Sequence, residues 1–121
     1  MGEHKQILLV EDDKSYRTLI QMKLKQLGLE VLTGDNGVQD LSLLESHKVD
    51  LVILDLLMPE MSGWNFMYEK QKTNKKNVPV MILTNLTEAS YPSETEHNID
   101  FLVKANISID ELVGRVKKRL S

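Results

Sequence analysis

Four groups of polar side chains each stand directly after an apolar stretch. Glu11, Asp12 and Asp13 follow residues 7–10, Asp55 follows residues 49–54, Thr84 follows residues 78–83, and Lys104 follows residues 101–103. Carboxylates unaccompanied by His or Cys favour a hard divalent cation, and Mg²⁺ that keeps several waters suits a shallow, partly open site. Glu11, Asp12 and Asp55 bring three negative charges against the one positive charge of Lys104, so two remain for a bound cation to neutralise. An ammonium and a threonine hydroxyl beside such a cation suit phosphoryl oxygens. An aspartate next to the metal can then act as a nucleophile and form an acyl phosphate. Taken singly these residues mean little, because an Asp after a buried strand is most often a solvated strand end or a helix cap. Their common placement is what makes them a candidate site.

That placement requires a particular scaffold. Residues 7–10 read as a short strand, and Tyr16, Leu19, Ile20, Leu24 and Leu27 mark one face of a helix that Gly28 stops. Residues 29–33 read as a strand and residues 34–37 as a turn, followed by a helix with Val38, Leu41 and Leu44 inward. Residues 49–54 are the plainest buried strand, apolar except for Asp50. Ser62 is a candidate N-cap for a helix carrying Trp64, Met67 and Tyr68, which fades into the polar residues 70–77. Two more strands follow at residues 78–83 and 101–103, and Ile109, Leu112, Val113, Val116 and Leu120 mark the last helix. Between those two strands, residues 87–98 contain Pro92 and no apolar stripe, so the helix there is expected to be short or irregular.

Near-continuous apolar strands alternating with amphipathic helices predict an α/β domain of five βα units, with a parallel sheet covered on both faces. In such a sheet the carboxyl ends of the strands share one edge, where ligands bind at the reversal of strand order. Residues as distant as Glu11 and Lys104 then converge on one pocket.

The composition narrows the function classes. A chain of 121 residues, 41% hydrophobic and 27% charged, predicts one folded domain over residues 1–121. The absence of cysteine excludes disulfides, thiolate metal sites and a cysteine nucleophile. A net charge of -3 offers no basic footprint for direct nucleic-acid binding. No apolar run reaches the roughly 20 residues that span a bilayer, and Gln6 stands where a myristoylation signal at Gly2 needs Ser or Thr. A cytoplasmic protein without a membrane segment is the expectation. His4, His47 and His97 share no motif, and Arg115, Lys117, Lys118 and Arg119 read as a solvated helix end that complements the dipole.

The residues that carry a resemblance are Ile7-Leu8-Leu9-Val10-Glu11-Asp12-Asp13, then Asp55-Leu56-Leu57-Met58-Pro59-Glu60-Met61-Ser62-Gly63, then Thr84, then Phe101-Leu102-Val103-Lys104. In this βα context the chain resembles a response-regulator receiver domain of two-component signalling along essentially its whole length. The resemblance implies a flavodoxin-like, doubly wound (βα)5 fold whose parallel sheet has the order 2-1-3-4-5. It also implies that Asp55 is the phosphoacceptor, that Asp12 and Asp55 ligate Mg²⁺ with the main-chain carbonyl of Leu57, and that Glu11 does so through water. Lys104 would contact the phosphoryl group, Thr84 would hydrogen-bond it after transfer, and Phe101 would be the aromatic switch. Asp13 would be an additional acid capping the first helix. The implied donor is a sensor histidine kinase or a histidine phosphotransfer protein, and the implied output is contact with a downstream protein target whose identity the residues leave open. Such a domain catalyses only its own phosphorylation and dephosphorylation.

Several residues depart from that pattern. Ala105 follows Lys104 where the family usually has a cis-linked Pro, and a cis bond before Ala would cost about 2.5–4 kcal/mol, so a trans, rearranged loop is expected. Asn85 replaces a small residue after Thr84, Asp40 stands where the second helix usually turns an Ala inward, and Asn98 replaces a Gly. Two other functions compete. An aspartyl-phosphate hydrolase can share the Asp, Thr and Lys, but typically has a second Asp two residues after its nucleophile, where this chain has Leu57. A degenerate receiver used only for binding would have lost a site residue, whereas all five remain.

Overall fold

Strands form where the apolar runs predict them. A computed structural model describes residues 4–58, 61–85 and 99–121. The strands are β1 (Gln6–Val10), β2 (Glu30–Leu32), β3 (Leu51–Leu54), β4 (Val80–Thr84) and β5 (Ile99–Val103), and the helices are α1 (Lys14–Gln26), α2 (Gly37–Ser46), α3 (Gly63–Gln71) and α4 (Ile109–Leu120). The five strands form one sheet in the order β2-β1-β3-β4-β5, and every neighbouring pair is parallel. This is the flavodoxin-like order. The expectation of a short or irregular helix at residues 87–98 lies outside the described residues.

Alternation along the strands divides the core in two. Ile7, Leu9, Leu51, Ile53, Met81 and Leu83 face Ile20 and Leu24 of α1 and Leu112 and Val116 of α4. Leu8, Val10, Val52, Leu54, Val80 and Ile82 face Leu44 of α2 and Phe66 of α3. Both faces are covered, so every strand residue from Leu51 to Leu54 and from Val80 to Thr84 is buried.

Local chemistry sets the helix ends. Side chains of Asp13, Asn36, Ser62 and Ser108 accept hydrogen bonds from the first turns of α1, α2, α3 and α4, and Glu111 completes a capping box with Ser108. Gly28 follows α1 at φ 82°, the left-handed conformation that an L side chain resists. Lys117, Lys118 and Arg119 fill the last turn of α4, as the dipole favours.

The helix faces differ from expectation in two places. On α1, Leu19 is exposed because it lies one residue, about 100°, round the helix from the buried Ile20, and Leu27 is exposed beyond the last turn, as the residue that caps the helix. On α2, Val38 points to solvent at 69% exposure, and the inward positions are Gly37, Asp40 and Leu44. With about 100° per residue, Gly37 and Asp40 lie nearly in line with Leu44, whereas Val38 is roughly 120° round the helix. Asp40 thus occupies the core-facing position, and its Oδ1 accepts the Gly34 N–H at 2.7 Å.

Candidate functional site

Register brings the polar groups together. Val10 pairs with Leu54, so Glu11 and Asp55 leave their strands side by side. Leu54 pairs with Ile82 on its other side, and Thr84, two residues further along β4, pairs with Val103, which directly precedes Lys104. The edge formed by the carboxyl ends of β1, β3, β4 and β5 therefore carries all the residues that could do chemistry.

Lys104 reaches across this edge. Its Nζ lies 2.6 Å from Glu11 Oε1 and 3.2 Å from Asp55 Oδ2. The ammonium also sits over the Tyr16 ring, 4.6 Å from its centroid. Burial would lower the pKa of this lysine, but hydrogen bonds and charge from the two carboxylates hold it above the ordinary value. Burial pushes the Glu11 carboxyl above its usual range, against the hydrogen bonds from Lys104 and the Asp13 N–H.

Asp55 is held from both sides. Its Oδ1 accepts the Leu57 N–H at 3.0 Å, while Lys104 holds Oδ2. The turn beyond it depends on Gly63: the Gly63 N–H donates to the Leu56 carbonyl at 3.0 Å. A Cβ on Gly63 would lie 2.6 Å from both the Asp55 carbonyl oxygen and Leu56 Cα. Close helix-to-strand approach is what this position requires. The main chain after β1 is fixed by Arg17 Nη1, which donates to the Glu11 carbonyl at 3.2 Å.

Carboxylate oxygens of Glu11, Asp12 and Asp55 all lie within 4.8 Å of one another. Direct ligands sit about 2.1 Å from Mg²⁺, so a group this compact fits one such ion with a member bridged by water. Asp12 is exposed while Glu11 and Asp55 are buried, which leaves one side open to solvent. An all-oxygen donor group of this kind suits a hard divalent cation.

Thr84 is fully buried at the end of β4. Phe101 pairs with Ile82, so it shares a sheet face with Thr84 on the neighbouring strand. Its ring lies 6.5 Å from that of Trp64, tilted by 44°. Trp64 is thus half-buried support for the α3 side of the sheet as well as a neighbour of Phe101. Leu57 is 54% exposed and carries no group able to transfer a proton, unlike the second acid of an aspartyl-phosphate hydrolase.

No peptide bond among the described residues is cis, so Lys104–Ala105 is trans as expected. Lys104–Asn106 forms a turn of 3₁₀ helix. The Ala105 N–H, which a Pro would lack, donates to Asn85 Oδ1 at 3.1 Å. The two departures at residues 85 and 105 are therefore one structural feature. Neither this link nor the Tyr16 contact is visible in local sequence patterns, since each depends on which strand ends are neighbours.

Residues 7–117 match the family model of the response regulator receiver domain. The chain belongs to that family. The response regulator protein TrrA from Thermotoga maritima, solved in complex with Mg²⁺ and BeF, is 35% identical, with a TM-score of 0.79, 96% of this chain covered and 99% of that one. Vibrio cholerae chemotaxis protein CheY4 is 25% identical with a TM-score of 0.82, covering 98% of this chain and all of that one. A probable transcriptional regulator, ycf27, from Cyanophora paradoxa is 31% identical over 96% of this chain and 48% of its own length. The receiver described here spans about half the length of that curated relative. Among the described residues, no helix is long and apolar enough to cross a membrane.

Proposed function

We propose that this receiver, acting as one domain over residues 1–121 in the cytoplasm, accepts a phosphoryl group on Asp55 from a phosphohistidine of a sensor histidine kinase or phosphotransfer protein. The observation that carries this reading is the Asp55 carboxylate held between the Leu57 N–H and the Lys104 ammonium, beside Glu11 and Asp12. Glu11, Asp12, Asp55 and the Leu57 main-chain carbonyl would hold Mg²⁺, which supplies charge neutralisation for phosphoryl oxygens when bound.

An Asp55 carboxylate oxygen attacks phosphorus, and the bond from phosphorus to the donor imidazole nitrogen breaks with its electron pair passing to the ring, which takes up a proton. The product is an acyl phosphate. Lys104 offers charge-assisted hydrogen bonds to the oxygens in transfer. In dephosphorylation a water oxygen attacks the phosphorus, and the bond from phosphorus to the Asp55 oxygen breaks with its electron pair returning to the carboxylate. Inorganic phosphate leaves with the water's proton passing to solvent, and the domain turns over no separate substrate.

Phosphorylation takes the charge at residue 55 from -1 to about -2 and adds strong acceptors beside Lys104 and Thr84. Thr84 is drawn towards them, and Phe101, on the same sheet face, moves into the space released. A few kcal/mol of differential affinity suffices to shift such an equilibrium. The remodelled surface around β4 and β5 would then engage a downstream protein.

Incubation with acetyl phosphate and Mg²⁺ followed by intact mass analysis tests the reading. One phosphoryl adduct, dependent on Mg²⁺ and absent in Asp55→Asn, is expected. No adduct from acetyl phosphate or from a panel of histidine kinases would favour a receiver that only binds partners.

A further inference from the structure

We infer that Asn85 is a positioning residue for Lys104: its side chain caps the turn that carries the lysine and takes over, in trans geometry, the rigidity that a proline would supply. The inference rests on the proposed phosphoacceptor role of Asp55.

The first N–H groups of a 3₁₀ turn have no partner within it. For the turn Lys104–Asn106, the preceding residue Val103 provides no side-chain cap. The cap comes instead from the residue that follows β4. Asn85 Oδ1 accepts the Ala105 N–H at 3.1 Å across 20 residues of sequence. Asn85 directly follows Thr84, and Ala105 directly follows Lys104, so this bond ties together the two strand ends that carry the hydroxyl and the ammonium. Lys104 must hold its Nζ within 2.6 Å of Glu11 and 3.2 Å of Asp55 from the end of a flexible stem. Fixing the main chain at its root limits the arrangements that the ammonium explores before transfer, which is where preorganisation acts on rate.

Exposure of Asn85 and Ala105 makes the bond separable from folding. Asn85→Leu keeps the bulk at the pocket mouth and removes the acceptor, whereas Asn85→Asp keeps an acceptor oxygen. The first readout is hydrogen exchange at the Ala105 amide, expected to quicken in Asn85→Leu and to return towards wild type in Asn85→Asp. The second is the rate of Asp55 phosphorylation by acetyl phosphate. Asn85→Leu should slow it about three- to tenfold, the effect of one hydrogen bond, and should have no further effect in a Lys104→Ala background. Unchanged Ala105 exchange in Asn85→Leu would overturn the latch, whether or not Asp55 accepts phosphate. Equal slowing in both backgrounds would show that residue 85 acts on the pocket mouth and not through Lys104. A wild-type chain that takes no phosphoryl group would instead overturn the phosphoacceptor role, leaving the exchange result to judge the latch.

Discussion

The indole of Trp64 and the phenyl ring of Phe101 lie 6.5 Å apart, inclined at 44°, and so join the start of α3 to the strand that precedes Lys104. Trp64 is the chain's one tryptophan, which makes its emission a report on a single place. Phosphorylation with acetyl phosphate and Mg²⁺ is expected to change its intensity or emission maximum. Phe101→Ala should remove most of that response while leaving the adduct. An emission spectrum unaltered by a fully formed adduct would count against movement of Phe101.

Lys104 is the internal counter-charge for Glu11 and Asp55. Lys104→Ala should slow phosphorylation by about 10²-fold, the usual cost of losing one transition-state donor. It also leaves Glu11, Asp12 and Asp55 facing one another, so the metal-free protein should lose on the order of 2–4 kcal/mol. Mg²⁺ should then raise Tm more in the variant than in the wild type, because binding to the native state alone stabilises it. Thermal melts across a Mg²⁺ titration would measure this, and an equal rise in both proteins would refute the counter-charge role.

Asp40 gives a pH signature. Its burial pushes the carboxyl from an ordinary 3.8 to about 6, outweighing the Gly34 N–H and the Arg17 charge, with Asp35 adding a further upward push. A carboxyl raised on folding stabilises the native state most below its unfolded pKa, and that contribution is lost as pH rises through the folded value. Between the ordinary 3.8 and about 6, the wild type should lose about 3 kcal/mol from this group. Asn at this position keeps an oxygen for Gly34 and cannot ionise. Asp40→Asn should therefore match the wild type near pH 4 and exceed it by up to about 3 kcal/mol at pH 7. Urea denaturation at several pH values reads the difference, and a constant offset would contradict the assignment.

Gly63→Ala tests the packing behind Asp55. Alanine is the better helix former, so propensity alone predicts a small gain. The clash of its Cβ with the Asp55 carbonyl oxygen and Leu56 Cα, both 2.6 Å away and both main chain, predicts the opposite. A loss of about 1–3 kcal/mol is expected, together with slower phosphorylation as the Asp55 turn is displaced. A variant as stable as the wild type would show that the turn yields easily.

Local signals were readable without coordinates. The acids at the end of β1, the caps at Asp13 and Ser62, the stop at Gly28 and the stripe of α4 all arise from neighbours within a few residues, whose spacing decides which backbone hydrogen bonds and which buried face are available. Periodicity was weaker where one helix step separates an apolar residue from the core, so Val38 and Leu19 face outward and Asp40 faces inward. Contacts across the sheet edge have a different origin. The 2.6 Å pair of Lys104 with Glu11, the ring of Tyr16 beneath that ammonium and the Asn85–Ala105 bond each need a strand order and a register that no short stretch of residues encodes. Chain connectivity states which groups exist; parallel pairing of Val10 with Leu54 and of Thr84 with Val103 sets which of them touch.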